Sequence, residues 1–214
     1  VPAKQQVRVS QREGSLKLIL VRHGETFWNE EKRVQGGDSD IELNDTGQRQ
    51  AQRLAFFLKE EPIAAILSSP LRRARETAEA IAGYHHLPVQ IDPRLRELKV
   101  GQLEGLLLSD CGTTFSHYLM QWWQGSEAAR LPQGESLVEL QQRVWSVVRE
   151  LLGRYKDETV VVVSHYFVTL VIILTALDLP LAQFIKFRVD PASISVLEFR
   201  DFGARLLTFN DTSY

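Results

Sequence analysis

A single cysteine, Cys111, in 214 residues rules out an intrachain disulfide and any zinc site built on cysteine. That scarcity suits a reducing compartment. Charge of one sign is scarce as well: 25 Lys and Arg stand against 27 Asp and Glu, a formal charge of −2. Such a balance removes any global electrostatic reason to expect nucleic acid or an anionic membrane as partner. The longest greasy stretch, Phe167 to Leu177, falls far short of the ~20 residues that span a bilayer. Val1 to Gly14 is polar, has no initiator Met and lacks the apolar core of a signal peptide. Neither G-x-x-x-x-G-K-[ST] nor G-x-S-x-G occurs, so a nucleotide P-loop and a serine-hydrolase elbow are excluded. These absences point to a soluble, cytoplasmic protein.

What is present is the balance of a globular chain, 44% apolar and 24% charged, enough to build one large core. Residues 1–15 are expected to form an N-terminal extension and residues 16–214 a single domain. Leu16 to Val21 is an apolar run suited to a strand buried on both faces. Helical spacing of Ala51, Leu54, Ala55 and Leu58 predicts a helix over Thr46–Glu61, capped by Thr46. A second strand is expected at Ala64–Ser68, then a helix opened by Pro70 and ended near Gly83, then a short strand at Pro88–Ile91. Pro93 to Gln133 is the least regular stretch, with some helix around Phe115 to Trp123. A long amphipathic helix over Glu135–Lys156 leads to a buried strand, Thr159–Val163, and an apolar helix, Phe167–Leu177. Ser193–Phe199 and Ala204–Phe209 close the chain as an antiparallel hairpin. This order predicts an α/β fold, a three-layer α/β/α sandwich with a mostly parallel central sheet.

Parallel sheets place ligands at the carboxyl ends of their strands, and two strands here end in histidine: Leu16–Val21 runs into Arg22-His23-Gly24, and Thr159–Val163 into Ser164-His165. Arg22-His23-Gly24-Glu25-Thr26 resembles the signature of the histidine phosphatase superfamily, the phosphoglycerate-mutase-like family. Further elements follow in register. They are Asn29, Gln35-Gly36, Leu43-Asn44-Asp45-Thr46-Gly47, Ser69-Pro70-Leu71-Arg72-Arg73-Ala74 (matching S-x-L-x-R-A), Leu95-Arg96-Glu97, and Val163-Ser164-His165. The resemblance runs from about Leu16 to Phe209 and implies the phosphoglycerate-mutase-like fold.

It also implies roles. His23 would be the nucleophile that forms a phosphohistidine; Arg22, Arg73 and a cationic His165 would hold the phosphoryl oxygens, with Asn29 an added donor. Glu97 would protonate the leaving alkoxide and then activate water. Gln35, Gly36 and Tyr166 complete the expected substrate-binding set, and neither metal nor organic cofactor is required. The residue types fit the chemistry: phosphoryl transfer depends on positioning and on neutralising equatorial oxygens, arginine forks bind two oxygens at once, and imidazole is a nucleophile near neutral pH. Arg72 and Arg75 read instead as a solvated helix face. Glu104 is a weaker candidate for the acid than Glu97. Asp38-Ser39-Asp40 fits a solvated acidic loop better than an aspartate-phosphatase or calcium-binding motif. Trp122-Trp123 suit packing or the mouth of a substrate site.

The resemblance has departures: Tyr166 and Phe167 follow the second histidine where glycine is common, and Leu103 stands where phosphatase-like members often carry an aromatic residue. The segment between Gly105 and Pro132 is compact and offers no second cluster of cations for a bisphosphorylated intermediate. The expected function is therefore metal-independent hydrolysis of a small phosphorylated metabolite. Phosphoglycerate mutase is the alternative, and a catalytically inactive phospho-ligand-binding or regulatory protein is the alternative of another class. A spare edge strand leaves room for a homodimer.

Overall fold

Runs of β-branched and apolar residues form the centre of the molecule, and amphipathic helices cover it on two sides. In the computed structural model, which describes residues 14–214, the elements in chain order are β1 (Leu16–Arg22), α1 (Phe27–Glu30), α2 (Asp45–Leu58), β2 (Ile63–Ser68), α3 (Arg72–His85), β3 (Val89–Ile91), α4 (Gly112–Trp123), α5 (Leu137–Arg154), β4 (Glu158–Ser164), α6 (Tyr166–Ala176), β5 (Ile194–Arg200) and β6 (Gly203–Asp211). Short 3-10 segments lie at Pro93–Leu95, Gly101–Leu103 and Leu181–Lys186. Of the N-terminal extension expected over residues 1–15, positions 1–13 lie outside the described residues.

The strands form one six-stranded sheet in the order β3-β2-β4-β1-β5-β6. β1 with β4, β4 with β2, and β2 with β3 are parallel; β5 and β6 add an antiparallel edge. This is the mostly parallel sheet expected. Alternation of side chains along each strand divides the core in two. Leu18, Leu20, Ala65, Leu67, Val160 and Val162 pack with Leu140, Val144 and Leu151 of α5 and Leu170 of α6. Ile19, Val21, Ile66, Val161 and Val163 pack with Leu54 and Leu58 of α2 and Ala78 and Ile81 of α3. Each fully buried Val or Leu contributes about 1.5–3 kcal/mol relative to exposure, which is why these strands read as unbroken apolar runs.

Several helix ends differ from expectation. Asn44, not Thr46, caps α2, its Oδ1 accepting from Gly47 N at 2.8 Å; a short amide side chain closes that ring at least as well as a threonine, and Thr46 falls inside the first turn. Pro70 does not open α3. The segment stays extended through Leu71, whose N–H donates to Ser69 Oγ at 3.3 Å, and the helix starts at Arg72. Gly83 does not end it either; α3 continues to His85, and His86 takes the left-handed cap at φ 54°.

After β1 the chain passes over one strand position to β2, moves out to β3, and later returns with β4 between β1 and β2. Three neighbouring parallel strands thus end together, with Arg22 beside Ser164 and Ser68 beside Val163. The crevice beyond those ends is where an open parallel sheet can take a ligand.

Candidate active site

The strand ends deliver the histidines directly. His23 follows β1 and its backbone N–H donates to Ser164 O at 3.0 Å; Ser69 follows β2 and donates to Val163 O at 3.1 Å. His165 stands at the N-cap of α6. The two imidazole rings lie 5.2 Å apart between centroids. Close backbone packing braces this turn: a Cβ on Gly47 would fall 2.0 Å from Glu25 O, so α2 meets the loop after His23 only without a side chain there.

His23 is buried, and its Nδ1 lies 2.7 Å from Gly24 O. A carbonyl only accepts, so Nδ1 carries the proton and the neutral ring leaves Nε2 with a free lone pair. Burial first, then the Arg73 and Arg22 guanidinium groups, hold the His23 pKa well below the ordinary histidine value. Arg73, fully buried in the first turn of α3, donates to Ser39 O and Gly36 O, both at 2.9 Å, while its Nε has no partner. Burial lowers its pKa to about 10, which still leaves it cationic at neutral pH. Arg22 donates through Nη1 to Val189 O at 2.5 Å, lies over the Tyr166 ring at 5.5 Å, and also keeps an unpartnered Nε.

His165 Nε2 lies 2.7 Å from Ser69 Oγ, and its Nδ1 is buried without a partner. The expected cationic form is not what these surroundings favour: burial, then Arg73, His23 and Arg22, push its pKa well below the ordinary value. The neutral ring shares a hydrogen bond with the Ser69 hydroxyl through Nε2, which leaves Nδ1 as the ring atom without a protein partner. Ser69 belongs to the S-x-L-x-R-A element, yet its part in orienting His165 was not anticipated.

Glu97 is buried, its Oε1 accepting from Leu98 N at 2.8 Å and its Oε2 from Phe167 N at 3.1 Å. Burial raises its pKa, opposed by those two N–H groups and by Arg73 and Arg22. The loop that carries it is clamped by Arg143 of α5, a residue that sequence reasoning missed. The guanidinium donates to the carbonyls of Arg94 (2.6 Å), Arg96 (2.7 Å) and Glu97 (3.0 Å), and pairs with both carboxylate oxygens of Glu135 (2.7 and 2.9 Å). Breaking a largely buried pair of this kind costs about 3–5 kcal/mol. Arg143→Met is therefore expected to lower the melting temperature, to speed amide exchange in the Arg94–Lys99 loop, and to reduce kcat ~10-fold or more through misplacement of Glu97. A loss of stability with kcat and loop exchange unchanged would leave Arg143 with a purely structural part.

The remaining predicted residues divide. Arg22, His23, Asn29, Gln35, Glu97 and Tyr166 all line one cavity of about 460 Å³. Asn29 Oδ1 accepts from Thr26 N at 3.1 Å, which leaves its amide NH2 to donate into the cavity. Gln35 accepts from Thr26 Oγ1 at 3.1 Å and keeps a buried Nε2 without a partner. Tyr166 donates to Phe187 O at 3.1 Å, so its phenol is turned to the backbone of the wall. Gly36, Arg73 and His165 are not on that lining; Gly36 sits behind the site, accepting from Arg73 and donating to Glu104 Oε1 at 2.9 Å. Added at Gly36, a Cβ would lie 2.5 Å from both Glu104 and Val100, so the position requires glycine to pack against the acidic loop.

Glu104 thus fastens Gly36 and Ser39. Arg72 and Arg75 are exposed and paired with glutamates, as a solvated helix face should be. Trp122 is fully buried and lines the cavity, whereas Trp123 is exposed. A larger groove, about 930 Å³, lies between α2 and α3, lined by residues such as Asp45, Arg49 and Glu79, and contains none of these groups. Among the described residues, no three or more His, Cys, Asp or Glu side chains group to hold a metal ion, and no helix is long and apolar enough to cross a membrane.

Comparison with known proteins places the chain in a family. The family model of the histidine phosphatase superfamily (branch 1) matches residues 18–212. A protein of Escherichia fergusonii named probable phosphoglycerate mutase GpmB is 37% identical over 186 residues, covering 87% of this chain and 86% of that one. Among solved structures, a mutant phosphoserine phosphatase of Entamoeba histolytica in complex with phosphoserine superposes with a TM-score of 0.84 at 30% identity, over 92% of this chain and 98% of that one. A mycobacterial glucosyl-3-phosphoglycerate phosphatase complexed with VO3 gives 0.81 at 30% identity, over 94% and 100%. The chain belongs to the histidine phosphatase superfamily.

Proposed function

We propose that the protein hydrolyses phosphomonoesters of small metabolites through a phosphohistidine on His23. The observation that carries this reading is the bond from His23 Nδ1 to Gly24 O, which frees Nε2 as the nucleophile in a pocket flanked by two guanidinium groups. Nε2 attacks phosphorus and the ester P–O bond breaks. Glu97, whose acid form burial favours, passes its proton to the departing alkoxide. The Glu97 carboxylate then takes a proton from water as that oxygen attacks phosphorus, the P–N bond breaks, and phosphate leaves with His23 and Glu97 restored. Arg22 and Arg73 neutralise the phosphoryl oxygens, and the Nδ1–H of His165 and the amides of Asn29 and Gln35 donate to them. A dianion between the guanidinium groups also supplies the opposite charge that His165 needs to take up a second proton. No step calls for a cofactor.

The curated relatives' name favours a second reading, phosphoglycerate mutase. A mutase must grip a second anion, and the cavity has little for it: of Lys32 and Arg33, Arg33 is already paired with Glu31 and bonded to Gly105 O. The deciding assay is metal-free turnover with 3-phosphoglycerate among other phosphorylated metabolites, read for phosphate release and for isomerisation with 2,3-bisphosphoglycerate. Phosphate release that survives EDTA is the expected result. Isomerisation without release would make the protein a mutase, and silence from folded protein would return it to a phospho-ligand-binding role.

A further inference from the structure

The cavity that holds His23 has two halves of opposite chemistry. One, the floor, carries Arg22, His23, Glu97, Asn29 and Gln35; the rest of the lining, the wall, is apolar apart from Lys32, Arg33 and Tyr166. Trp122, Phe167 and Phe184 form that wall as a mutually packed cluster, with ring centroids 5.6–6.3 Å apart. The one polar atom of the Trp122 indole is spent on Ala129 O at 2.7 Å, so the ring presents only carbon. At the rim Leu108 and Ile185 are 52% and 43% exposed. Apolar side chains that both line a cavity and face water gain only when a ligand covers them.

We infer that the organic half of the substrate is bulky and apolar, an aryl or branched alkyl group, and not a carboxylate or a second phosphate. This rests on the hydrolase reading above and specifies its substrate class. The phosphoryl group occupies the polar floor, and the alcohol's carbon skeleton lies against Phe167 and Phe184, backed by the buried Trp122, with Leu108 and Ile185 at the mouth. The volume, about 460 Å³, suits a small organic ligand. Lys32 and Arg33 also line the cavity, but a carboxylate laid against the aromatic rings themselves would lose its hydration without gaining a donor from them.

The test uses binding, so that it is independent of turnover. Two phosphonates that cannot be hydrolysed, 2-phenylethylphosphonate and 2-carboxyethylphosphonate, differ only in ring against carboxylate and are titrated calorimetrically. The phenyl compound is expected to bind ~100-fold tighter, the scale of burying several apolar carbons. Equal affinity, or preference for the carboxylate, would overturn the inference whatever the enzyme turns over. Tight phenyl binding with no phosphatase activity on any ester would keep the ligand class and sink the hydrolase reading. The exposed pair Leu108→Lys with Ile185→Lys should shrink the ratio ~10-fold or more in protein of native circular dichroism. A ratio unmoved by two cations would mean that the organic group lies elsewhere.

Discussion

His23→Ala is expected to lower turnover by ~10⁴-fold or more, with the fold intact. The ring packs against His165 just beyond the strand end, and its one hydrogen bond is to the neighbouring carbonyl, so removing it deletes the reacting atom without disturbing the β1 core. The scale follows from the covalent route: without Nε2, water must attack the ester directly, and only the charge-neutralising arginines remain to help. A chemical readout accompanies the rate. Wild-type protein mixed with ³²P-labelled ester and quenched in alkali should retain label on the protein, as a phosphoramidate does, and lose it in acid. The variant should retain none. Turnover within about tenfold of wild type, or label undiminished, would remove His23 from the reaction.

The second large effect is expected at Glu97. Glu97→Gln should slow alkyl phosphate hydrolysis by ~10²–10⁴-fold and aryl phosphate hydrolysis far less, because a phenolate leaves without a proton. Part of the change is structural. Both Glu97 oxygens accept from backbone N–H groups, so a glutamine must turn its NH2 toward Leu98 N or Phe167 N and leave one bond unmade, about 1–3 kcal/mol. The pH profile separates the two causes. Burial raises the Glu97 pKa, so its acid form persists above the ordinary glutamic-acid range and activity falls as pH rises through the raised value. Burial with Arg73 and Arg22 lowers the His23 pKa, so the free base persists below about pH 6.5 and the acid limb lies under that value. Glutamine cannot titrate: the alkaline limb should vanish and the acid limb should stay. An alkaline limb unchanged in the variant would assign the proton to another group.

Periodicity made the core legible. Leu18–Val21 of β1 and Val160–Val163 of β4 are continuous apolar runs because both faces are covered, and α5 shows its buried stripe from Leu137 to Leu151. Helix ends were less legible, since Asn44 and Thr46 are both good caps and only the packing of Gly47 against Glu25 decides between them. The histidines stood out by their place at strand ends, and Arg73 by its place in the S-x-L-x-R-A element of the resemblance. Arg143 did not, because on the polar side of an amphipathic helix a clamp and a solvated charge look alike. The apolar wall was equally hidden: Val34, Val100, Trp122, Phe167 and Phe184 come from five separate segments, and no spacing along the chain joins them.

The placement of β4 between β1 and β2 has a consequence for when the site comes into being. The strands that end in Arg22 and Ser68 have no bonds to each other; they are joined only through β4, which begins at Glu158, far along the chain from the end of β2 at Ser68. Closing such long loops is slow, because their entropy is lost before any contact compensates. A chain emerging from the ribosome can form α2 and α3 early, yet it holds no oriented pair of imidazoles until Glu158–Ser164 has been made and inserted. On the proposed mechanism, competence for chemistry thus arrives only with β4, and a chain ended before Glu158 is expected to be inert.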